Sequence, residues 1–257
     1  MIELRHIRKS FNIGTPDESV LFDDFSYTIR DGDFISVIGS NGSGKTTMLN
    51  LLCGSLLPDS GQIVMDGADI TAMSEHRRAR RIGRVFQSPQ KGTCGELTIL
   101  ENMALADNKN RRYSLTRGIN RGRVDLYRTW LSQCHMGLED RLNVPVGTLS
   151  GGQRQALALV IANMSDIDLL ILDEHTAALD PKSSETVMEL TERLVREKGV
   201  TTLMVTHNLR FAVEYGNRLT MMHQGHAVLD LADDAKAQAS VDMLLERFNA
   251  IISECGN

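Results

Sequence analysis

Residues 39–47 read Gly-Ser-Asn-Gly-Ser-Gly-Lys-Thr-Thr and satisfy G-x-x-x-x-G-K-[ST]. No other stretch constrains the fold as much, because the pattern has meaning only between a strand and a helix. The chain supplies both: the apolar run Phe34 to Ile38 enters it, and Met48 to Cys53 leaves it with Gly54 placed as the helix-ending residue. Gly39, Gly42 and Gly44 permit positive φ and close backbone approach to an anion. Ser40, Asn41, Gly42, Ser43, Gly44, Lys45, Thr46 and Thr47 then present backbone N–H groups at the positive end of a helix dipole. Lys45 adds a full charge for β- and γ-phosphates, and the Thr46 hydroxyl is a ligand for Mg²⁺. A glycine-rich turn before an ordinary helix is the plainer reading, but the flanking strand and helix favour a nucleotide site.

Composition narrows the class. The chain has 257 residues, 42% hydrophobic and 24% charged, with a net charge of −5, so no broad polyanion-binding surface is expected. Cys53, Cys94, Cys134 and Cys255 form no C-x-x-C pair and read as reduced thiols of the cytosol. Neither a signal peptide at the N-terminus nor a membrane span is expected; the longest apolar run is Ala156 to Ala162.

Along the chain, Phe25 to Ile29 alternates at period two, so the first thirty residues are predicted to form antiparallel strands. Gly14-Thr15-Pro16-Asp17 is a turn, and Asp31-Gly32 is expected to close a hairpin before the loop strand. Phe11 precedes the first turn, either as core or as a face on which a base could stack. Strand signals recur at 62–65 and at 84–87, the latter ending in Gln87. The basic run Ser74 to Arg81 reads as a solvated helix face. Residues 90–148 are predicted helical, with a capping box at Thr98–Glu101 and an apolar stripe of Val124, Leu126, Trp130, Leu131 and Cys134. Lys109, Arg111, Arg112, Arg117, Arg121, Arg123 and Arg128 read first as solvated, with anionic lipid headgroups or an acidic partner loop as the sharper alternative. Ser150-Gly151-Gly152-Gln153 is a second capping box. Ile167 to Leu172 suits a buried parallel strand and ends in Asp173-Glu174; Asp180-Pro181 opens the next helix. Thr202 to Thr206 is a strand followed by His207, Gln224-Gly225 turns a hairpin, and Val241 to Ile252 is a final amphipathic helix.

Strand, helix and strand alternate from 33 to 207, which predicts an α/β parallel sheet with ligands off the carboxyl ends of its strands. The phosphate loop, Asp173-Glu174 and His207 all fall at such ends. Asp173 then has the form of a metal-holding carboxylate, directly or through water. Glu174 orients or deprotonates a water, Gln87 offers an oxygen to metal or water, and His207 donates to a γ-phosphate. Standing alone, Gln87 reads as a loop residue and His207 as a surface histidine.

Together, Gly39–Thr47, Gln87, Leu149–Gln153, Leu169–Glu174, Ala178-Leu179-Asp180 and His207 resemble, in order and spacing, the ATP-binding subunit of ATP-binding-cassette (ABC) transporters. The likeness covers essentially the whole chain, and Leu149–Gln153, the family signature, is its most specific element. It implies an ATP hydrolase with ATP and Mg²⁺ as cofactors. Glu174, His207, Gln87 and Lys45 would be catalytic, and Thr46, Gln87 and Asp173 would hold the metal. It also implies a head-to-tail dimer, in which Ser150, Gly151, Gly152, Gln153 and Asp180 serve the nucleotide of the second copy. Phe11 matches the adenine-stacking aromatic, usually Tyr. The implied fold is α/β, a P-loop NTPase core with a mainly parallel sheet. An antiparallel β subdomain covers 1–32 and 58–72, the ATP-binding core 33–89 and 165–230, a helical subdomain 90–164, and a helical extension 231–257.

His175 departs from the Pro or Ala common among relatives; altered loop packing is the favoured reading, and a catalytic role is left open. No fused membrane segment favours the importer arrangement. That arrangement comprises integral membrane permease chains, often an external substrate-binding protein, and a cassette on the inner face of the cell membrane. The stretch around Asp173–Pro181 with Met204–Asn208 resembles a subgroup associated with aromatic amino acids. A soluble non-transport ATPase of the same class is the alternative; it would carry coiled-coil insertions or a second cassette. No nucleic-acid partner is expected.

Overall fold

The computed structural model describes residues 1–109 and 118–255, with side chains through 251. In chain order the elements are β1 (Ile2–Phe11), β2 (Ser19–Ile29), β3 (Phe34–Gly39), α1 (Lys45–Cys53), β4 (Ser60–Met65), β5 (Ala68–Asp69) and α2 (Glu75–Arg78). There follow β6 (Ile82–Val85), α3 (Ile99–Asn108), α4 (Val124–Ser132), α5 (Gly151–Ala162), β7 (Leu169–Asp173) and α6 (Pro181–Lys198). The last are β8 (Thr201–Val205), α7 (Leu209–Glu214), β9 (Arg218–His223), β10 (His226–Ala232), α8 (Asp233–Ala237) and α9 (Val241–Cys255). The fold is mixed α/β, and contacts divide it into two units, 1–75 with 201–257, and 76–200.

The first unit holds an antiparallel sheet of order β2-β1-β4-β5 and the strand run β10-β9-β3-β8. In β2, Phe25, Tyr27 and Ile29 are buried while Ser26 is exposed, as period two requires. β3 lies parallel to both β8 and β9. Every residue of β3 and β8 is buried, because a parallel strand has both faces covered. Helices α7 and α9 contribute Ala212, Leu244 and Ile251 to a core with Ile38, Leu219 and Met221. One polar knot joins the two sheets. Arg218 donates to both oxygens of Asp230 at 2.9 and 2.6 Å, to Asp33 at 2.9 Å and to the Thr28 carbonyl at 2.8 Å. Its guanidinium also lies over the Tyr27 ring, 5.1 Å from the centroid. The Asp31-Gly32 expectation is corrected here. β2 pairs with β1, whereas β3 belongs to the other sheet, so this turn links two sheets. A dipeptide sets the local bend but not which edge the next strand joins.

In the second unit β6 and β7 pair in parallel, with Val85 opposite Leu172. Both predicted capping boxes are formed, at Thr98–Glu101 and Ser150–Gln153. β6 ends at Val85, two residues before the expected strand end at Gln87. The solvated reading of Ser74–Arg81 fails at Arg78, which is 1% exposed. The apolar stripe of α4 is corrected too: Leu126 is 37% exposed and Tyr127 is 1% exposed. Tyr127 is buried because Asp107 accepts its hydroxyl at 2.8 Å, and Arg123 pairs with that carboxylate at 2.6 Å. Arg123 is therefore an internal partner and not a free surface charge, while Arg111, Arg112 and Arg117 lie outside the described residues.

Candidate nucleotide site

The loop between β3 and α1 is built for close approach. A Cβ on Gly39 would overlap the Met222 carbonyl oxygen, and one on Gly44 would come within 2.8 Å of the Phe22 ring. Gly44 sits at φ 105° as the N-cap of α1 and brings no side-chain cap. The helix therefore starts with its positive end uncapped by Gly44, as an anion cradle requires. Lys45 is buried, and its Nζ donates to the carbonyls of Gly39 at 2.8 Å and Ser40 at 2.9 Å. The ammonium is thus folded back over the loop that a phosphate would enter. Ser40, Asn41, Gly42 and Thr46 are exposed, Thr47 is half-buried, and Ser43 is buried.

His207 belongs to the same unit. Val37 of β3 pairs with Val205 of β8, so Gly39 and His207 each stand two residues beyond that pair, off the same carboxyl ends. Asn208 caps α7 by accepting from the Phe211 N–H at 3.2 Å, which fixes the turn that carries the exposed His207. Phe11 ends β1 opposite Ser19, half-buried, with Lys9 Nζ 5.8 Å from its ring centroid. It is not among the fully buried core residues.

The second unit repeats the arrangement with a carboxylate pair. Beyond the Val85–Leu172 pair, Phe86 and Gln87 follow the end of β6, while Asp173 closes β7 and Glu174 comes next. Asp173 ends its strand in extended form, whereas Glu174 turns to φ 48°. A non-glycine residue held in that left-handed region marks a backbone over-determined by its surroundings. Arg84 Nη2 lies 2.7 Å from Asp173 Oδ2. Gln87 is exposed, and the carbonyl just before it accepts from Gln155 Nε2 at 3.0 Å. Gln155 itself is 0% exposed. Farther along that loop, Asn102 holds the Cys94 N–H at 2.8 Å and the carbonyls of Cys94 and Thr98 at 3.0 Å each.

Ser150 caps α5 by accepting from the Gln153 N–H at 3.3 Å, and Gln153 returns the bond to the Ser150 N–H. Gly151 and Gly152 follow. A Cβ on Gly152 would come within 3.0 Å of Ser183, and one on Gly151 within 3.3 Å of Leu179. The glycines thus let α5 seat against the turn where Asp180 caps α6 from the side of Ser183. Hydrogen bonds to Ser183 hold the Asp180 carboxyl below its ordinary pKa. Asp180 and the Ser150 segment accordingly lie side by side within one unit. His175 is 1% exposed, and burial lowers its pKa to about 4. It packs against α6, with its Nε2 3.2 Å from the Thr191 hydroxyl, which supports the packing reading.

Sequence reasoning missed Gln155, Asn102 and Arg84. A polar side chain at the head of the apolar run of α5 was the one available sign of the first; nothing in a single sequence pointed to the other two.

The chain matches the family model described as ABC transporter over residues 22–177. It is 44% identical over 248 residues to a tyrosine transport ATP-binding protein of Clostridioides difficile, covering 96% of this chain and 98% of that one. A methionine import ATP-binding protein of Listeria monocytogenes is 34% identical, over 97% of this chain and 77% of the relative. Among solved structures, a dimeric ATP-binding cassette in a post-hydrolysis state with ADP and Pi superposes with a TM-score of 0.76 at 28% identity, over 90% and 98% of the two chains. The chain belongs to the ABC transporter family, as an ATP-binding subunit that hydrolyses ATP.

Proposed function

We propose that this chain is the engine of an amino-acid importer, with tyrosine as the first candidate cargo. The observation that carries this is the 44% identity to a tyrosine transport ATP-binding protein across nearly the whole of both chains. The methionine import relative supports the same direction of transport. None of the residues of the cassette would touch the cargo; selectivity would reside in permease chains and in an external substrate-binding protein.

In this reading ATP lies along the uncapped end of α1, its phosphates held by the 40–47 backbone and Lys45, with Phe11 under the adenine. Thr46, Asp173 and Gln87 each carry an oxygen donor of the kind Mg²⁺ prefers, and the family resemblance assigns them as the residues that would hold it. The ion would neutralise charge that develops on the transferring phosphoryl group. Glu174 takes a proton from the attacking water, and His207 donates to the γ-phosphate oxygen. The Ser150–Gln153 helix end and Asp180 complete the site of a second copy; the dimeric state of related cassettes supports this. ATP must favour the closed dimer over the open one more than ADP does, and that difference is what a permease at the membrane would feel.

Purification of the tagged chain from detergent-solubilised membranes tests the proposal. An integral membrane chain is expected to accompany it, with ATP turnover raised by tyrosine in reconstituted vesicles. A preparation that associates with ribosomes or DNA and carries no membrane chain would overturn it.

A further inference from the structure

Phe11 is steadied by the residues next to it on β1 and by the turn that leads into β4. The pairing of β1 with β4 ends at Arg8 opposite Ser60, and Asp59, just ahead of β4, fastens the stretch of β1 beyond that pair. Its N–H donates to the Arg8 carbonyl at 2.8 Å. Its carboxylate accepts from the Ser10 N–H and from Lys9 Nζ, both at 2.6 Å. Lys9 and Phe11 are alternate residues of one strand, so their side chains share a face. The anchored ammonium accordingly lies over the Phe11 ring, 5.8 Å from its centroid.

The Lys9 side chain is only 13% exposed, and that of Asp59 27%. An ammonium at that depth is less screened by water than one on the surface, which strengthens its attraction to the ring face. The cation takes one face of the ring and leaves the opposite face for a flat aromatic ligand. A loose ring gives up rotamer freedom when a base stacks on it, whereas a ring already held has less to lose. We propose that Lys9, fixed by Asp59, is a positioning residue that pre-orders the Phe11 ring for the purine base of the nucleotide. The inference rests on the reading of Phe11 as the ring under the adenine.

Calorimetric titration of the full chain with ATP and with inorganic triphosphate tests it. Lys9→Met is expected to weaken ATP about three- to tenfold and to leave triphosphate within about twofold. Lys9→Arg keeps a cation that can pair with Asp59 and stack on the ring, so it should restore ATP to within about twofold of the unchanged protein. On a Phe11→Ala background, Lys9→Met should cost no further affinity, since no ring is left to hold. Where Phe11→Ala weakens ATP, unchanged or tighter binding by Lys9→Met overturns the proposal, and so does an additive loss in the double variant. Equal losses for ATP and triphosphate place the defect at the phosphates and overturn it as well. ATP binding that ignores Phe11→Ala removes the stacking assignment instead, and the proposal with it. Should Lys9→Met fail to fold, Asp59→Asn, which keeps an acceptor for the Ser10 N–H and loosens the ammonium, decides by the same comparison.

Discussion

The His175 Nε2 lies 3.2 Å from the Thr191 hydroxyl, which donates in turn to the Val187 carbonyl at 2.7 Å. With the hydroxyl proton committed to the carbonyl, Nε2 must carry the hydrogen. Burial lowers its pKa from 6.5 to about 4. The unfolded chain therefore binds the extra proton over that interval, so stability is full above pH 6.5 and is lost as pH falls toward 4.

Between pH 7 and pH 5 this group should cost the nucleotide-free protein about 2 kcal/mol of unfolding free energy. His175→Gln keeps a donor toward Thr191 and removes the titration. Urea denaturation of both proteins at the two pH values should show the variant losing about 2 kcal/mol less. Parallel losses would mean that His175 is protonated in the folded state.

Arg218 is 7% exposed and binds two carboxylates and a carbonyl that belong to different sheets. Arg218→Met keeps the bulk under Tyr27 but leaves Asp33 and Asp230 without their cation. Because Asp230 retains partial access to water, the loss should be about 2–3 kcal/mol, below that of a fully buried pair. Chemical denaturation measures it. A change under about 0.5 kcal/mol would class the knot with ordinary surface pairs.

How much of this was legible follows from the kind of signal each residue carries. The β3–loop–α1 unit, the caps at Thr98, Ser150 and Asp180, and the β9–β10 hairpin are set by local chemistry, and a sequence states local chemistry directly. Burial of Gln155 is not local. It is polar, so composition assigns it to the surface, and a partner 69 positions away, the Phe86 carbonyl, makes its interior position affordable. Arg84 meets Asp173 through the pairing of β6 with β7, across 89 positions of sequence. Tyr127 displaced Leu126 from the core for the same reason: its hydroxyl has a partner in Asp107.

Lys45→Ala should weaken ATP binding roughly 10- to 100-fold, the loss of one charge-assisted contact to phosphate. Retention of nucleotide at micromolar concentration would then disappear in equilibrium dialysis. Fluorescent-nucleotide titration supplies the constant. Binding as tight as in the unchanged protein would refute the loop assignment.

Phe11→Ala should weaken adenine nucleotides by roughly 1–3 kcal/mol, the usual range for base–aromatic stacking. Inorganic triphosphate, which has no base, serves as the control and should bind both proteins alike. If ATP affinity is unchanged, the half-buried ring belongs to the β1–β2 packing alone.

Glu174→Gln separates binding from chemistry. The residue already occupies φ 48°, and glutamine meets the same backbone cost as glutamate, so fold and nucleotide affinity should persist. What is lost is the proton acceptor for the attacking water, a contribution of about 10²–10⁴ in rate. ATP turnover should fall by at least about 10²-fold while the closed, ATP-bound dimer accumulates, visible by size-exclusion chromatography with ATP and absent with ADP. The same experiment on a Ser150→Arg background isolates the second copy. If the α5 tip contacts the partner's nucleotide, the bulky cation should prevent the dimer without affecting ATP binding to the monomer. A dimer that survives both substitutions would place the interface elsewhere, and hydrolysis at the original rate in Glu174→Gln would move the general base to another residue.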